Sequence, residues 1–441
     1  MTSNPAAASS LLPRILHPFS LVIPPTTYCP GSDVHGEVLL EFPKIQDEQI
    51  DEVVVELRGT LKMATSDSSD RVSPQPQALL GVKTSVWKRG STYPPSDSHI
   101  LRVPFRFHLP SDPRILPSVH WTEWHDFVSI VYYVEATALR PTTLFGSEKK
   151  IREQLVVVPR GDPSLCTSIR SLGNLEGGPM WKTAHKEQQM RRGISFWTLQ
   201  LLVPNEHGIL PHCIDIPLLI RIKTTTARLP RVKADRHLQD KPIFPAIAIA
   251  ANTPISITIR QNFAVRAIGA SCDLTNKFTL ACIKEQDLPR SSYHKHWEDD
   301  TRRGDAREMG RWVQHWTFEP KVKFNRFPPT FSSEFVDCAY TVSVQVPFPG
   351  VGNNVKVSIP ITLDSGIDRA TPRRSGGGPA ASALEDAPTQ TSFGAEAGVG
   401  ADPSPGGTEI PCDEQPPSRL PTYFEAVYSD NRERDGSARP G

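Results

Sequence analysis

Apolar and polar residues alternate one by one in several stretches of this chain, and a segment patterned that way buries a single face only as a β-strand. Val53, Val55 and Leu57 alternate with Glu52, Val54, Glu56 and Arg58. Ile255, Ile257 and Ile259 alternate with Ser256, Thr258 and Arg260. Val342, Val344 and Val346 alternate with Thr341, Ser343 and Gln345, and Val355, Val357 and Ile359 with Lys356 and Ser358. The β-branched side chains suit a half-buried pleated surface. Turn-forming clusters separate the runs: Pro30-Gly31, Pro110-Ser111-Asp112-Pro113 and Pro349-Gly350-Val351-Gly352. No long amphipathic helical period interrupts them. Many short strands without alternating helices predict an all-β fold built of sandwiches.

Three stretches break the pattern and read as irregular. Residues 64–98 are rich in Ser, Pro and Asp and read as a long loop. Residues 161–192 shift to Gly, Asn, Gln and basic side chains and read as an interdomain linker. Residues 285–311 are densely charged and read as a second solvated loop. The pattern therefore predicts a first sandwich over 1–165, a linker over 166–192, a second sandwich over 193–365, and a tail over 366–441. From about 369 onward Gly, Ala, Ser, Pro and acidic residues dominate, and such a composition does not offset the entropy of ordering, so the tail is expected to be disordered. A faint repeat supports two similar halves. Leu116-Pro117-Ser118 precedes the run Val131-Tyr132-Tyr133-Val134, and Pro328-Pro329-Thr330-Phe331 precedes Ala339-Tyr340-Thr341-Val342.

Composition narrows the functional classes. The 441 residues include 43 prolines, about twice the usual ~5%, which favours loop-rich β structure and disorder. A net charge of +1 gives no global field for nucleic acid or an anionic membrane. The seven cysteines, Cys29, Cys166, Cys213, Cys272, Cys282, Cys338 and Cys412, are dispersed without a C-x-x-C pair and read as reduced thiols, not a disulfide framework. With no glycosylation sequon, no signal-peptide pattern and no long apolar span, a soluble cytoplasmic protein is expected.

Catalytic signatures are lacking: there is no G-x-S-x-G, Walker-type glycine loop, H-E-x-x-H or dinucleotide fingerprint. A non-enzymatic protein without cofactor or metal is the expectation. His294-x-His296, near Glu298, Asp299 and Asp300, has the spacing of strand-borne ligands, but no cysteine or further histidine lies nearby in sequence, and the pair reads as part of a solvated loop. His207 and His212, flanking Cys213, read as part of a turn. Arg302, Arg303, Arg307 and Arg311 read as a charge-mixed exposed loop. The informative motif is in the tail, where Leu420-Pro421-Thr422-Tyr423 is a variant of the P-P-x-Y ligand of WW domains. A proline-rich segment is already near polyproline II, so binding costs little order. Leu420 and Pro421 would present an apolar edge to the aromatic groove, and Tyr423 would fill a second pocket. The chain carries one copy.

Taken together, these residues resemble the arrestin family, in its α-arrestin (arrestin-domain-containing) branch. The resemblance rests on Tyr28-x-Pro30-Gly31-x-x-Val34-x-Gly36-x-Val38, then Val53 to Gly59, Pro104-Phe105-x-Phe107-x-Leu109-Pro110, Leu116-Pro117-Ser118 and Tyr132-Tyr133. It continues more weakly through Trp197 to Pro204, Ile216 to Ile222, Pro328 to Val346 and Ile359 to Leu363. It implies two arrestin-like, immunoglobulin-like sandwiches, and an adaptor that docks a membrane transporter or receptor and recruits a WW-domain HECT-type ubiquitin ligase for ubiquitination and endocytosis. The adaptor would be cytoplasmic and recruited to plasma membrane and endosomes through cargo. The alternative within the family is a signalling arrestin that couples a seven-helix receptor to endosomal machinery without a ligase. An enzyme built on a sandwich and a purely structural sandwich protein are the readings from other classes.

Overall fold

The computed structural model describes residues 17–372 apart from 65–75, 113, 124–125, 141–147, 173–179, 190–194, 235–241, 250–252, 268–269, 285–286, 288–292, 301–308 and 350–353. Strands dominate, with three short helices among the described residues. The first half contains β1 (Phe19–Val22), β2 (Thr26–Tyr28), β3 (Asp33–Glu41), helix α1 (Phe42–Asp47), β4 (Glu52–Ala64), β5 (Gln77–Lys88), β6 (Ile100–His108), β7 (Val119–Glu123), β8 (Asp126–Leu139) and β9 (Lys149–Val157). They form two sheets, β1-β3-β6 and β2-β9-β8-β4-β5, with β7 also on β8. Helix α2 (Pro163–Arg170) leads to the second half.

That half contains β10 (Trp181–Gln189), β11 (Phe196–Pro204), β12 (Ile209–Pro211), β13 (Asp215–Pro217), β14 (Leu219–Thr225), β15 (Leu229–Pro230), helix α3 (Arg231–Ala234), β16 (Ile255–Ala267), β17 (Ala270–Ile283), β18 (Tyr293–Asp299), β19 (Met309–Phe318), β20 (Lys321–Lys323), β21 (Val336–Val346) and β22 (Val355–Asp364). One sheet runs β10-β11-β14-β19 with β15 and β18 on β19, the other β12-β22-β21-β16-β17, and β13 pairs with β20. A last short strand, β23 (Thr371–Pro372), returns to the first half and pairs with β2.

The two halves share one plan. The order β1-β3-β6 is repeated as β11-β14-β19, and β2-β9-β8-β4-β5 as β12-β22-β21-β16-β17. In each half a short early strand pairs in parallel with the last strand, Tyr28 with Val157 and Leu210 with Leu363. The repeat read from sequence marks equivalent anchors. Tyr132 donates its hydroxyl to the Leu116 carbonyl at 3.0 Å, and Tyr340 donates to the Pro328 carbonyl at 2.8 Å. Two residues beyond each acceptor, the Ser118 hydroxyl accepts the Val157 N–H and the Thr330 hydroxyl accepts the Leu363 N–H, both at 2.9 Å. The alternating residues face inward as expected: Val53, Val55, Leu57, Ile257, Ile259, Val342 and Val344 are all buried. The turn at Pro30-Gly31 needs its glycine, because Gly31 has a φ of +81°. Gly36 allows close approach, since a Cβ there would stand 2.8 Å from the Val22 carbonyl oxygen and collide with the Phe105 ring.

The three stretches read as irregular each contain a strand, and this corrects the sequence reading. β5 lies within 64–98, β10 and α2 within 161–192, and β18 within 285–311. All three strands are edge or near-edge elements, and two of them are polar: β10 carries Lys182, His185, Lys186 and Glu187, and β18 carries His294, Lys295, Glu298 and Asp299, while β5 keeps Leu79, Leu80, Val82, Val86 and Trp87. Charged edges discourage pairing with other chains, and they also remove the apolar alternation that signals a strand. Backbone pairing with β4, β11 and β19 holds them in place. Helix α2 begins at Asp162-Pro163, where the Asp162 carboxylate accepts the Ser164 N–H at 2.8 Å and Pro163 occupies the first turn.

Candidate functional site

Leu420, Pro421, Thr422 and Tyr423 lie outside the described residues, as do Arg302, Arg303, Arg307 and the tail from residue 373 onward. The other candidates have definite places. His294 and His296 project from β18 on the outer face of the second sandwich, where the register sets His294 opposite His315 of β19. The three imidazoles gather there, with centroids 5.7 Å apart for His294–His296 and 5.6 Å for His296–His315. The last two rings stack nearly parallel, at 11°. Among the described residues, no group of three His, Cys, Asp or Glu is arranged to hold a metal ion. Arg311 pairs with Glu298 at 3.4 Å, so it belongs to a strand pair and not to the charged loop expected for it.

The same face carries a polar recess of about 390 Å³ lined by Thr198, Gln200, Arg221, Lys223, His315 and Thr317, with Ile222 and Trp316 at its floor. The pairing explains the convergence: Thr198 stands opposite Lys223, and Lys223 opposite His315, while Gln200 stands opposite Arg221, and Arg221 opposite Thr317. Two rows of outward side chains thus cross β11, β14 and β19. Burial, together with the neighbouring Lys223, His296 and His294, pushes the His315 pKa down. Each residue was legible as an outward position on its own strand, alternating with the buried Leu199, Ile220, Ile222, Trp316 and Phe318. Their meeting is a tertiary fact that no local pattern carries.

The junction between the halves is the second notable place. At the end of β22, the Asp364 carboxylate accepts the backbone N–H groups of Asp162 at 3.0 Å and Gly366 at 2.7 Å. The Gly161 N–H donates to the Ile367 carbonyl at 2.7 Å, and the His212 N–H donates to the Asp364 carbonyl at 2.9 Å. His212 is buried, and that burial pushes its pKa down. His207, by contrast, sits in an exposed turn beside Glu206. Across the junction the Trp121 and Phe263 rings lie 5.7 Å apart. The chain then crosses to the first half and ends its described course as β23 on β2.

No family model matches this chain, and no curated protein matches it. No helix among the described residues is long and apolar enough to cross a membrane. The sulfurs of Cys166 and Cys213, which sequence spacing gave no reason to pair, meet at the junction with their Sγ atoms 3.5 Å apart.

Proposed function

We propose that the chain is an arrestin-like adaptor that docks cytoplasmic segments of membrane transporters or receptors and recruits a WW-domain HECT-type ubiquitin ligase through Leu420-Pro421-Thr422-Tyr423. The observation that carries this reading is the junction. Two sandwiches of one plan are tied together by the segment from Asp364 to β23, and the 69 residues after Pro372 leave from the edge of the first sandwich. A folded body with a motif on a tether raises the local concentration of a bound ligase at a bound cargo, and no chemistry of its own is required. The 47 positions between Pro372 and Leu420, if they behave as coil, span roughly 40 Å, enough to place a ligase beside a cargo on the same body. The recess with Arg221, Lys223 and His315 supports docking of acidic cargo segments.

The test is affinity purification of the intact chain and its Tyr423→Ala variant from cells. The expected result is a HECT-type ligase with the first and its loss with the second. A variant that retains the ligase at the original level would remove the reading and favour a signalling scaffold that works without ligase recruitment.

A further inference from the structure

Cys29 and Cys338 are buried, whereas Cys166 is partly exposed and Cys213 exposed. Cys166 lies on α2, the helix that leads out of the first sandwich, and Cys213 lies between β12 and β13 of the second. Their sulfurs face each other at 3.5 Å. Although Cys213 is exposed as a residue, its sulfur is turned inward: a Cβ on Gly366 would stand 2.9 Å from the Cys166 sulfur and 3.0 Å from that of Cys213. Both thiols therefore rest on the crossing segment, whose neighbours Asp364 and Ile367 hold Asp162 and Gly161. A disulfide needs sulfurs about 2.05 Å apart, a closure of about 1.5 Å from the present separation.

We propose that Cys166 and Cys213 form a reversible disulfide when the chain meets a small-molecule disulfide such as oxidised glutathione, fastening α2 to the second sandwich across the segment that carries β23. One cysteine thiolate attacks the oxidant, giving a mixed disulfide and releasing one glutathione thiolate. The second cysteine loses its proton, attacks the first protein sulfur and expels the second glutathione thiolate. Two protein thiols become one cystine, one oxidant disulfide becomes two thiols, and the two protons pass to the released glutathione. In a reducing cytosol the pair rests as thiols and bridges only when the surroundings turn oxidising. The bridge is independent of any ligase recruitment.

The experiment equilibrates the full chain in buffers of increasing oxidised-to-reduced glutathione ratio, alkylates the remaining thiols and maps every cysteine by mass spectrometry. Cys166 and Cys213 should lose alkylation together, yield one cross-linked peptide and recover both thiols in dithiothreitol. Cys166→Ser and Cys213→Ser should each leave the other cysteine as a glutathione adduct with no cross-link. Exchange of the Gly161 amide, which is bonded to Ile367, should slow by about tenfold in the oxidised form. Separate glutathione adducts on both cysteines of the unsubstituted chain, or both thiols still free where Cys282 has reacted, would overturn the proposal. So would a cross-link that leaves Gly161 exchange unchanged.

Discussion

Tyr132 and Tyr340 are buried, and each hydroxyl donates to a carbonyl in the proline-containing segment that precedes its strand. Burial also pushes the Tyr132 phenol pKa up, so the group stays a donor. Replacing either by phenylalanine keeps the ring and leaves a buried carbonyl without its donor, at a cost of about 1–3 kcal/mol. Urea unfolding of Tyr132→Phe and Tyr340→Phe should show losses of that size, and a loss near zero for both would mean that the anchors are incidental. His212 gives a pH-dependent counterpart. Its folded pKa lies below the unfolded value of about 6.5, so below that pH the unfolded chain binds a proton that the fold excludes. Stability should therefore be complete above about 6.5 and fall as the pH drops toward the folded pKa. His315, with its pKa shifted the same way, adds to the slope. His212→Asn should flatten the fall in denaturant midpoint on acidification, and an unchanged slope would exclude His212 as its source. These anchors could be located from the sequence as an aromatic-led strand after a proline-stiffened loop, but their hydrogen-bond roles could not.

Among elements, central strands and edge strands differed in how far the sequence revealed them. β4, β16, β21 and β22 carry inward side chains in alternation, so Leu57, Ile257, Val344 and Val357 have polar neighbours on both sides and show the strand directly. β10 and β18 are held by pairing more than by burial, and their Lys, Glu and His residues hide them, whereas β5 keeps Leu79, Leu80, Val82, Val86 and Trp87 and its pairing with β4 is interrupted by two register shifts that break the alternation. Helix α2 was signalled only by Asp162-Pro163, a cap and first-turn pair too short to stand out in a polar stretch. β23 lies in a segment that composition assigns to the tail, and its hydrogen-bonding partner is more than 300 positions away. A chain ending at Leu363 should thus be less stable than one ending at Pro372. It loses the carboxylate that holds Asp162, the carbonyls that accept from His212 and Gly161, and the edge pairing of β2. At about 1 kcal/mol for each net hydrogen bond, the deficit should be about 3 kcal/mol by urea denaturation. Equal stability of the two chains would show that the crossing segment contributes nothing to the fold.

At the scale of the whole molecule, the repeated sheet order, the junction and the tail motif are the features on which the proposed adaptor role rests. The all-β class was readable because alternation is a local property. The meeting of Lys223 with His315, and of Cys166 with Cys213, was not, because each depends on how distant strands pack. The proposed motif at Leu420 to Tyr423 lies outside the described residues and is a reading of another kind: a short linear ligand would carry its recognition chemistry in consecutive residues. Its aromatic anchor should dominate so small an interface, with truncation costing about 2 kcal/mol or more, roughly a thirtyfold loss of affinity. The most direct measurement is a calorimetric titration of the full chain, and of its Tyr423→Ala variant, with the isolated WW domains of HECT-type ligases. Saturable binding by the intact chain, weakened at least about thirtyfold by the substitution while the unfolding midpoint stays unchanged, is the predicted result. No heat of binding from the intact chain, or equal affinity from the variant, would contradict the ligase-adaptor account.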